Sequence, residues 1–173
     1  MAITPTRPAY DADERTQLVG WLDMQRDIIR WKCEGVSEED AHRVVLPTSP
    51  LMTMAGLVSH LRWVEHCWFQ VMCNGESAAK NPQFDQALPE DADMLVDGIP
   101  LAQLLEEYER ECQASNETIA AHALDDIGKN RDFEVGSASL RWILLHMIEE
   151  TARHAGHMDT IRELADGAKV YYY

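Results

Sequence analysis

LRWILLHMIEETARHAGHMDTIREL, residues 140–164, is the stretch of this sequence that decides the fold. Steps of three and four residues in alternation select one stripe of an α-helix. Here the stripe consists of Leu140, Ile143, Met147, Glu150, His154, His157, Ile161 and Leu164. It is apolar at both ends and ionisable in the middle, and burying ionisable groups is costly unless each has a partner. The pattern therefore predicts a long helix whose polar middle meets a partner across the core, and a metal ion would satisfy all of these groups.

Length, net charge and cysteine content limit the classes of protein to which this chain can belong. A chain of 173 residues is long enough for one domain with a substantial core. Its formal net charge of −15 argues against binding to nucleic acid or to an anionic membrane surface. No apolar run approaches the roughly 20 residues of a membrane span, and we identify no secretory signal. Four cysteines without a CxxC pair are typical of reduced thiols, so we expect a cytoplasmic protein.

Three more helices are predicted upstream, each with an apolar stripe of helical period and with capping or breaking residues at its ends. Their approximate ranges are 11–34, 51–74 and 100–122. We expect the second of them to be capped near Ser49 and closed by Asn74 and Gly75. Four amphipathic helices predict an all-α fold, namely a four-helix bundle.

The connections set the expected topology and domain boundaries. Residues 75–99 contain two prolines and show no helical period. So long a connection is unusual between antiparallel neighbours, and it predicts a crossover between helices 2 and 3 of the bundle. We expect a single domain over residues 1–173, with an N-terminal arm at 1–10 and a C-terminal tail at 168–173.

A polar residue also interrupts the apolar stripe of the second helix. That stripe consists of Thr53, Leu57, His60, Val64, Cys67 and Val71. A single histidine in such a stripe is more often a hydrogen-bonded core residue than a metal ligand, and we interpret Cys67 as core packing. A polar interruption in one helix is easily explained as a hydrogen-bonded core residue. Because two helices both carry polar residues in the middle of their apolar stripes, a metal site shared between them is favoured.

The spacing on the last helix narrows the choice of ligands. Residues three or four apart on a helix share a face and rise by about 5–6 Å, so their side chains can meet at one ion. Glu150 with His154 fits this spacing, as do His154 with His157 and His146 with Glu150. His60 from a facing helix would complete a set of two histidines and one carboxylate. Such a set occurs in catalytic zinc sites and in non-haem iron enzymes, so it does not choose the metal.

Each of these residues also has a non-functional interpretation. Glu150 could form a buried ion pair with Arg153 or with a cation on another helix, and His157 could face solvent. His146 lies just off the stripe, where it fits a pocket wall or a hydrogen-bonded core residue. We therefore place His157 and His146 below the ligand set, as candidate catalytic residues.

LVSHLRWVEHCWF (57–69) and WILLHMIEETARHAGHMDTIRELADG (142–167) together resemble the DinB-like/YfiT-like metalloprotein superfamily. The branch that they resemble most is the actinobacterial group related to the N-terminal domain of mycothiol-dependent maleylpyruvate isomerase. The shared motif is a histidine in the second helix and E-x-x-x-H followed by glycine in the fourth. The resemblance implies an up-down-down-up bundle that holds a divalent metal through His60, Glu150 and His154.

The resemblance also implies a chemistry. Several members of the superfamily use a small thiol such as mycothiol as cosubstrate, and a metal-bound thiol is deprotonated and nucleophilic. We therefore expect a thiol-dependent transferase or isomerase that acts on an electrophilic small molecule. Zinc is the first choice of metal, with nickel, iron or manganese as alternatives. The sequence ends shortly after the fourth helix, where the isomerase has a further domain, so maleylpyruvate isomerisation itself is not expected.

Two other functions fit the same residues. In a metallohydrolase, metal-bound water would be the nucleophile, and Glu65 or His157 would be the base. In a non-catalytic bundle, the metal would only stabilise the core. A homodimer through the bundle faces is a further expectation, given five Trp and five Tyr, although aromatic content does not locate an interface.

Overall fold

The computed structural model describes residues 3–169, so parts of the predicted arm (1–2) and tail (170–173) lie outside the described residues. The α-helices of the described range are α1 (Glu14–Cys33), α2 (Glu38–Ala41), α3 (Met54–Glu65), α4 (Leu101–Ala121) and α5 (Leu140–Ala165). A π-helix, His66–Cys73, continues α3 directly. Short 3-10 turns lie at Ala78–Lys80, Pro82–Phe84, Ala92–Met94 and Glu134–Ser137.

The predicted all-α class is confirmed. Within residues 3–169, β structure is limited to one isolated antiparallel bridge between Ile127 and Ser139. The most extensive helix packing is between α1 and α5 and between α3 and α4, and α3 also packs against α5. No helix in the described part of the chain is long and apolar enough to cross a membrane.

The second long helix begins later than predicted. Its N-cap is Thr53, whose hydroxyl accepts the backbone N–H of Gly56, and not a residue near Ser49. The chain before the cap crosses the first turn of α3 so closely that a Cβ at position 56 would lie 2.2 Å from the carbonyl oxygen of Leu51. Glycine permits this approach, and the segment from Leu51 therefore packs on the helix instead of belonging to it.

The C-terminal part of the same helix, residues 66–73, has π-helical winding. At its end the backbone N–H of Asn74 bonds the carbonyl of Phe69, five residues earlier, at 3.1 Å. The loop after α4 then donates the backbone N–H of Lys129 to the carbonyl of Cys73 at 3.0 Å. The helix end is thus satisfied by a distant part of the chain, as buried carbonyl groups require.

The stripe predicted for α5 is buried at its start and again at Ile161, but its last residue is exposed. Leu140, Ile143 and Met147 are completely buried, whereas Leu164 is 56% exposed. The reason is geometric, because a strict repeat of 3.5 residues drifts by about 20° per heptad around a straight α-helix. The buried line of the second half of α5 shifts to Thr151, Ala155, Met158 and Ala165.

Because of this drift, the polar residues in the middle of α5 lie beside the buried line and not on it. Glu150 and His154 stand next to the buried line, and their side chains remain 15% and 12% exposed. They therefore lie at the edge of the core and not at its centre. A site at this edge is within reach of a small molecule from solvent.

The apolar core is divided into two main clusters. The change from one cluster to the other falls at Asn116 on α4 and at Glu150 on α5, and it falls within about one helical turn of Arg26 on α1 and of Glu65 on α3. We call these residues, with their partners His60 and His154, the polar layer. It consists of two hydrogen-bonded groups, one that joins α1, α3 and α4 and one that joins α3 and α5.

A buried ion pair forms one side of the polar layer. Arg26 donates from Nε and Nη2 to the two carboxylate oxygens of Glu65, each at 2.7 Å, and both side chains are 1% exposed. Arg26 Nη1 also donates to Asn116 Oδ1 at 2.7 Å. A buried pair of this kind requires such complete hydrogen bonding to offset the cost of desolvation.

Glu111 of α4 lies close enough to Glu65 for their negative charges to interact. Its Oε1 is buried and has no hydrogen-bond partner among the described residues. Burial and then the negative charge of Glu65 raise the pKa of Glu111 to about 7, while Arg62 acts in the opposite direction.

We expect the Glu111→Gln substitution to stabilise the protein above pH 7. The folded carboxyl binds its proton more tightly than the unfolded one, so the free energy of unfolding of the wild type falls as the pH rises from about 4.5 through 7. The glutamine variant lacks this loss. For a chain of this size we expect a gain of about 1 kcal/mol, or about 2–4 °C in Tm, at pH 8.

Thermal melts between pH 4 and pH 9 measure the difference, which should vanish toward the acidic end. Glu117→Gln, at an exposed position of the same helix, is the matched control. Equal melting temperatures of wild type and Glu111→Gln at pH 8 would contradict the assignment.

Candidate metal centre

His60, Glu150 and His154 meet between α3 and α5. Nε2 of His60 lies 3.4 Å from Oε1 of Glu150, and Nε2 of His154 lies 3.1 Å from the same oxygen. One ligand atom from each residue lies within 4.8 Å of the other two. In the part of the chain that the structure describes, these residues form the one group of three or more His, Cys, Asp or Glu with such spacing.

The chemistry of the cluster suits a cation at its centre. Each neutral imidazole has one N–H donor and one acceptor nitrogen, and the carboxylate oxygens are acceptors. The facing atoms can therefore either form hydrogen bonds from the histidines to Glu150 or hold a metal ion. Burial lowers the pKa of His60, but its hydrogen bonds with Asp93 and Glu150 outweigh burial and raise it to about 9. Hydrogen bonds from His154 and then His60 hold the pKa of Glu150 well below its ordinary value. Two nitrogens and one carboxylate oxygen, partly open to solvent, fit a divalent metal with free coordination positions.

The sequence analysis did not identify Asp93, which contacts the candidate ligand His60. Its Oδ2 lies 2.6 Å from Nδ1 of His60, and its side chain is only 4% exposed. It belongs to the 3-10 turn Ala92–Met94 in the long connection between the π-helix and α4. Because that connection contains several acidic residues and no helical period, no local spacing distinguishes Asp93 from the others.

His157 contacts a ligand candidate without joining the cluster. Its Nδ1 lies 3.4 Å from Nδ1 of His154, whereas the other ring nitrogen of His154 faces Glu150. Burial and then the charge of His154 lower the pKa of His157. The position suits a group that orients His154 or exchanges a proton with it, and the catalytic role remains a prediction.

His146 packs with two tryptophans instead of with the ligand candidates. Its ring stacks on Trp142 with a centroid separation of 5.3 Å and an angle of 16°, and it lies 4.5 Å from the ring of Trp68. We call these three residues the aromatic cluster. His146 lies one turn of α5 from Glu150. Its catalytic role remains a prediction.

The π-helix contributes to the position of the aromatic cluster. Trp68 follows His60 by eight residues, which in an α-helix would place the two side chains about 80° apart. The wider π turns rotate less per residue and reduce this angle. Trp68 therefore faces α5, as His60 does.

The structure does not support the pairing of Glu150 with Arg153 or the role of Glu65 as a base. Arg153 forms its ion pair with Glu149 and not with Glu150. Glu65, the candidate base of a hydrolase, accepts hydrogen bonds from Arg26 with both of its carboxylate oxygens. Its carboxylate is therefore held in a buried ion pair that is 1% exposed, which does not suit a base for water at the cluster.

The cysteines do not supply a nucleophile of the protein's own. All four are free and buried. Burial raises the pKa of Cys67, which lies nearest in sequence to the cluster, to about 12. A thiol with this pKa stays protonated at neutral pH, as expected for core packing.

A family model described as mycothiol S-transferase matches residues 17–167, which is most of the chain. The chain belongs to the mycothiol S-transferase family. The match includes both helices of the candidate metal centre and confirms the resemblance to the DinB-like/YfiT-like superfamily. Comparisons with curated proteins and with solved structures give no match.

We expect this mycothiol S-transferase family member, purified without a histidine tag, to contain about one equivalent of divalent metal, as a site with two histidines and one carboxylate would. His60→Ala and His154→Ala each remove a ligand and should reduce the metal content to less than about a tenth of an equivalent. Elemental analysis after dialysis measures the content, and His122→Ala, at the end of α4, is the control. Equal metal content in wild type and His60→Ala would exclude this site.

Proposed function

We propose that this protein is a metal-dependent transferase that uses mycothiol, or another small thiol, to attack an electrophilic small molecule. The convergence of His60, Glu150 and His154 within the matched family region is the observation that carries the proposal. We propose these three residues as the metal ligands. Zinc is the first choice of metal, with nickel, iron or manganese as alternatives.

The proposed ligand set suits thiol activation. A divalent metal bound here would lower the pKa of a thiol in its open position and so supply a thiolate at neutral pH. One carboxylate and two neutral imidazoles leave a net positive charge at the site, which favours an anionic sulfur. We propose that His157 accepts the Nδ1–H of His154, because this leaves the lone pair of His154 Nε2 free for the metal.

The proposed reaction balances without an oxidant or a reductant. The thiol gives up its proton to solvent, and its sulfur forms a bond to an electrophilic carbon. In a substitution, the leaving group departs with the electron pair of its bond to that carbon. In an addition, a proton from solvent ends on the neighbouring atom. No further cofactor is needed.

We propose the aromatic cluster as the binding surface for the electrophile. Trp142 is 47% exposed and stacks on His146, one turn of α5 from Glu150. An exposed aromatic pair next to a reactive site supports binding of a planar or apolar group through stacking and burial. His146 would then bind substrate and not transfer protons.

We further propose the finer topology. Contacts of Glu14 with Arg141 and of Lys32 with Asp159 support a parallel arrangement of α1 and α5. Contacts of Arg62 with Glu107 and of Asn74 with Thr118 support a parallel arrangement of α3 and α4, where α3 is taken together with the π-helix that continues it. The contacts of His60 with Glu150 and of Trp68 with Trp142 support antiparallel packing of α3 against α5. An up-down-down-up four-helix bundle accounts for all of them.

The remaining expectations belong to the same proposal. We propose one domain over residues 1–173 that acts in the cytoplasm, where the four free cysteines would stay reduced. Dimerisation through the bundle faces also remains a prediction. A metallohydrolase is the second candidate, but it has lost Glu65 as a base and retains only His157, which contacts His154.

We expect metal-loaded protein to accelerate consumption of mycothiol by a panel of small electrophiles, such as activated aryl halides and epoxides. His154→Ala should reduce the rate by more than about 100-fold, since it removes a ligand. Loss of free thiol and mass spectrometry of the conjugate measure the reaction, and bacillithiol and glutathione test the choice of thiol. Hydrolysis of esters or amides without thiol would favour the hydrolase, and a metal-dependent Tm without turnover would favour a structural bundle.

We expect Trp142→Ala to raise the KM for an aromatic electrophile by about 10-fold, because an aromatic contact contributes about 1 kcal/mol beyond its buried area. The metal content and the KM for the thiol should stay unchanged. Trp21→Ala removes a tryptophan that is 37% exposed on α1 and is the control. An unchanged KM in Trp142→Ala would remove the aromatic cluster from the substrate-binding site.

A further inference from the structure

The long connection between the π-helix and α4 is fastened to the helix that carries His60. Ser59 Oγ donates to the main-chain carbonyl of Asp93 at 2.6 Å, and Nδ1 of His60 lies 2.6 Å from the Asp93 carboxylate. Asn81, which is 1% exposed, donates from Nδ2 to the carbonyl of Trp63 at 3.0 Å. Three side chains thus bind this connection to consecutive turns of α3.

Asp93 Oδ2 has a second donor. Gln83, also in the connection, donates from Nε2 to this oxygen at 2.8 Å. The same oxygen therefore receives hydrogen bonds from Gln83 and from His60. Because Asp93 is almost fully buried, its carboxylate keeps this orientation instead of turning to water.

The contact with Asp93 decides which nitrogen of His60 carries a proton. A carboxylate oxygen 2.6 Å from Nδ1 requires an Nδ1–H donor. In the neutral ring the lone pair is then on Nε2, the nitrogen that faces Glu150 Oε1. A carboxylate partner also makes the imidazole a stronger ligand.

The two histidines of the cluster differ in this respect. The partner of His60 is the buried carboxylate of Asp93. The partner of His154 is the ring of His157, which is more open to solvent than Asp93. A carboxylate adds a full negative charge behind its histidine, and a neutral imidazole does not. His60 is therefore the more strongly supported of the two candidate ligands.

We propose that Asp93, held by Gln83, is a positioning residue that fixes the Nδ1–H tautomer and the ring orientation of His60 and so sets the affinity for the metal. The proposal rests on the proposed metal site. It makes the connection between the π-helix and α4 part of that site, although the connection supplies no ligand.

The experiment measures the affinity of the metal-free full-length protein for Zn²⁺ by competition with a chromophoric chelator. Asp93→Ala should weaken binding by about 10- to 100-fold, as loss of a carboxylate behind a ligand histidine does. Asp93→Asn keeps an acceptor oxygen without the charge and should lie between Asp93→Ala and wild type. Gln83→Ala should give a smaller loss than Asp93→Ala. Asp97→Asn, at an exposed acidic position of the same connection, should bind as wild type.

Two further readouts separate positioning from a general effect on folding. The melting temperature of each metal-free variant reports folding, and the absorption spectrum of the Co²⁺-loaded protein reports the ligand geometry. A positioning role predicts a changed Co²⁺ spectrum and weaker Zn²⁺ binding in a variant whose metal-free melting temperature matches that of Asp97→Asn. Rescue of most of the affinity in Asp93→Asn relative to Asp93→Ala would support the tautomer argument.

The outcomes distinguish this inference from the proposed function. Zn²⁺ binding by Asp93→Ala within twofold of wild type would overturn the positioning role and leave the metal site in place. A lowered melting temperature with unchanged affinity would also overturn it, in favour of a structural role. Absence of Zn²⁺ binding in wild type would remove the metal site itself, and the positioning role with it.

Discussion

The need to satisfy ionisable groups inside a helical protein determines how this structure is arranged. On each of the long helices a polar residue stands at or near the change between two apolar clusters of the core. Such a layer is tolerable only if each charge has a partner. The helices must therefore keep the register that brings these partners together.

The layer meets this requirement in two ways. Arg26 and Glu65 form a closed, fully buried pair in which both carboxylate oxygens are hydrogen-bonded, so this side has nothing left to bind a ligand. His60, Glu150 and His154 each offer a metal-ligand atom, and they remain partly exposed. This open side of the layer is the candidate metal site.

The elements around the open side hold its residues in place. The π-helix turns Trp68 toward α5, where it joins Trp142 and His146 beside the cluster. The connection before α4 places Asp93 behind His60. The chain belongs to the mycothiol S-transferase family, which gives this arrangement a chemical context.

The sequence by itself determined the helical class, the long helices and the ligand candidates, because helical periodicity and the spacing of Glu150 and His154 are local properties. Tertiary structure decided the rest. The π-helical winding, the commitment of Glu65 to Arg26 and the contact of Asp93 with His60 join residues from different parts of the chain, and no local pattern specifies them. Even on α5, Leu164 of the predicted apolar stripe is exposed. The reason is that a repeat of 3.5 residues drifts around a helix of 3.6 residues per turn.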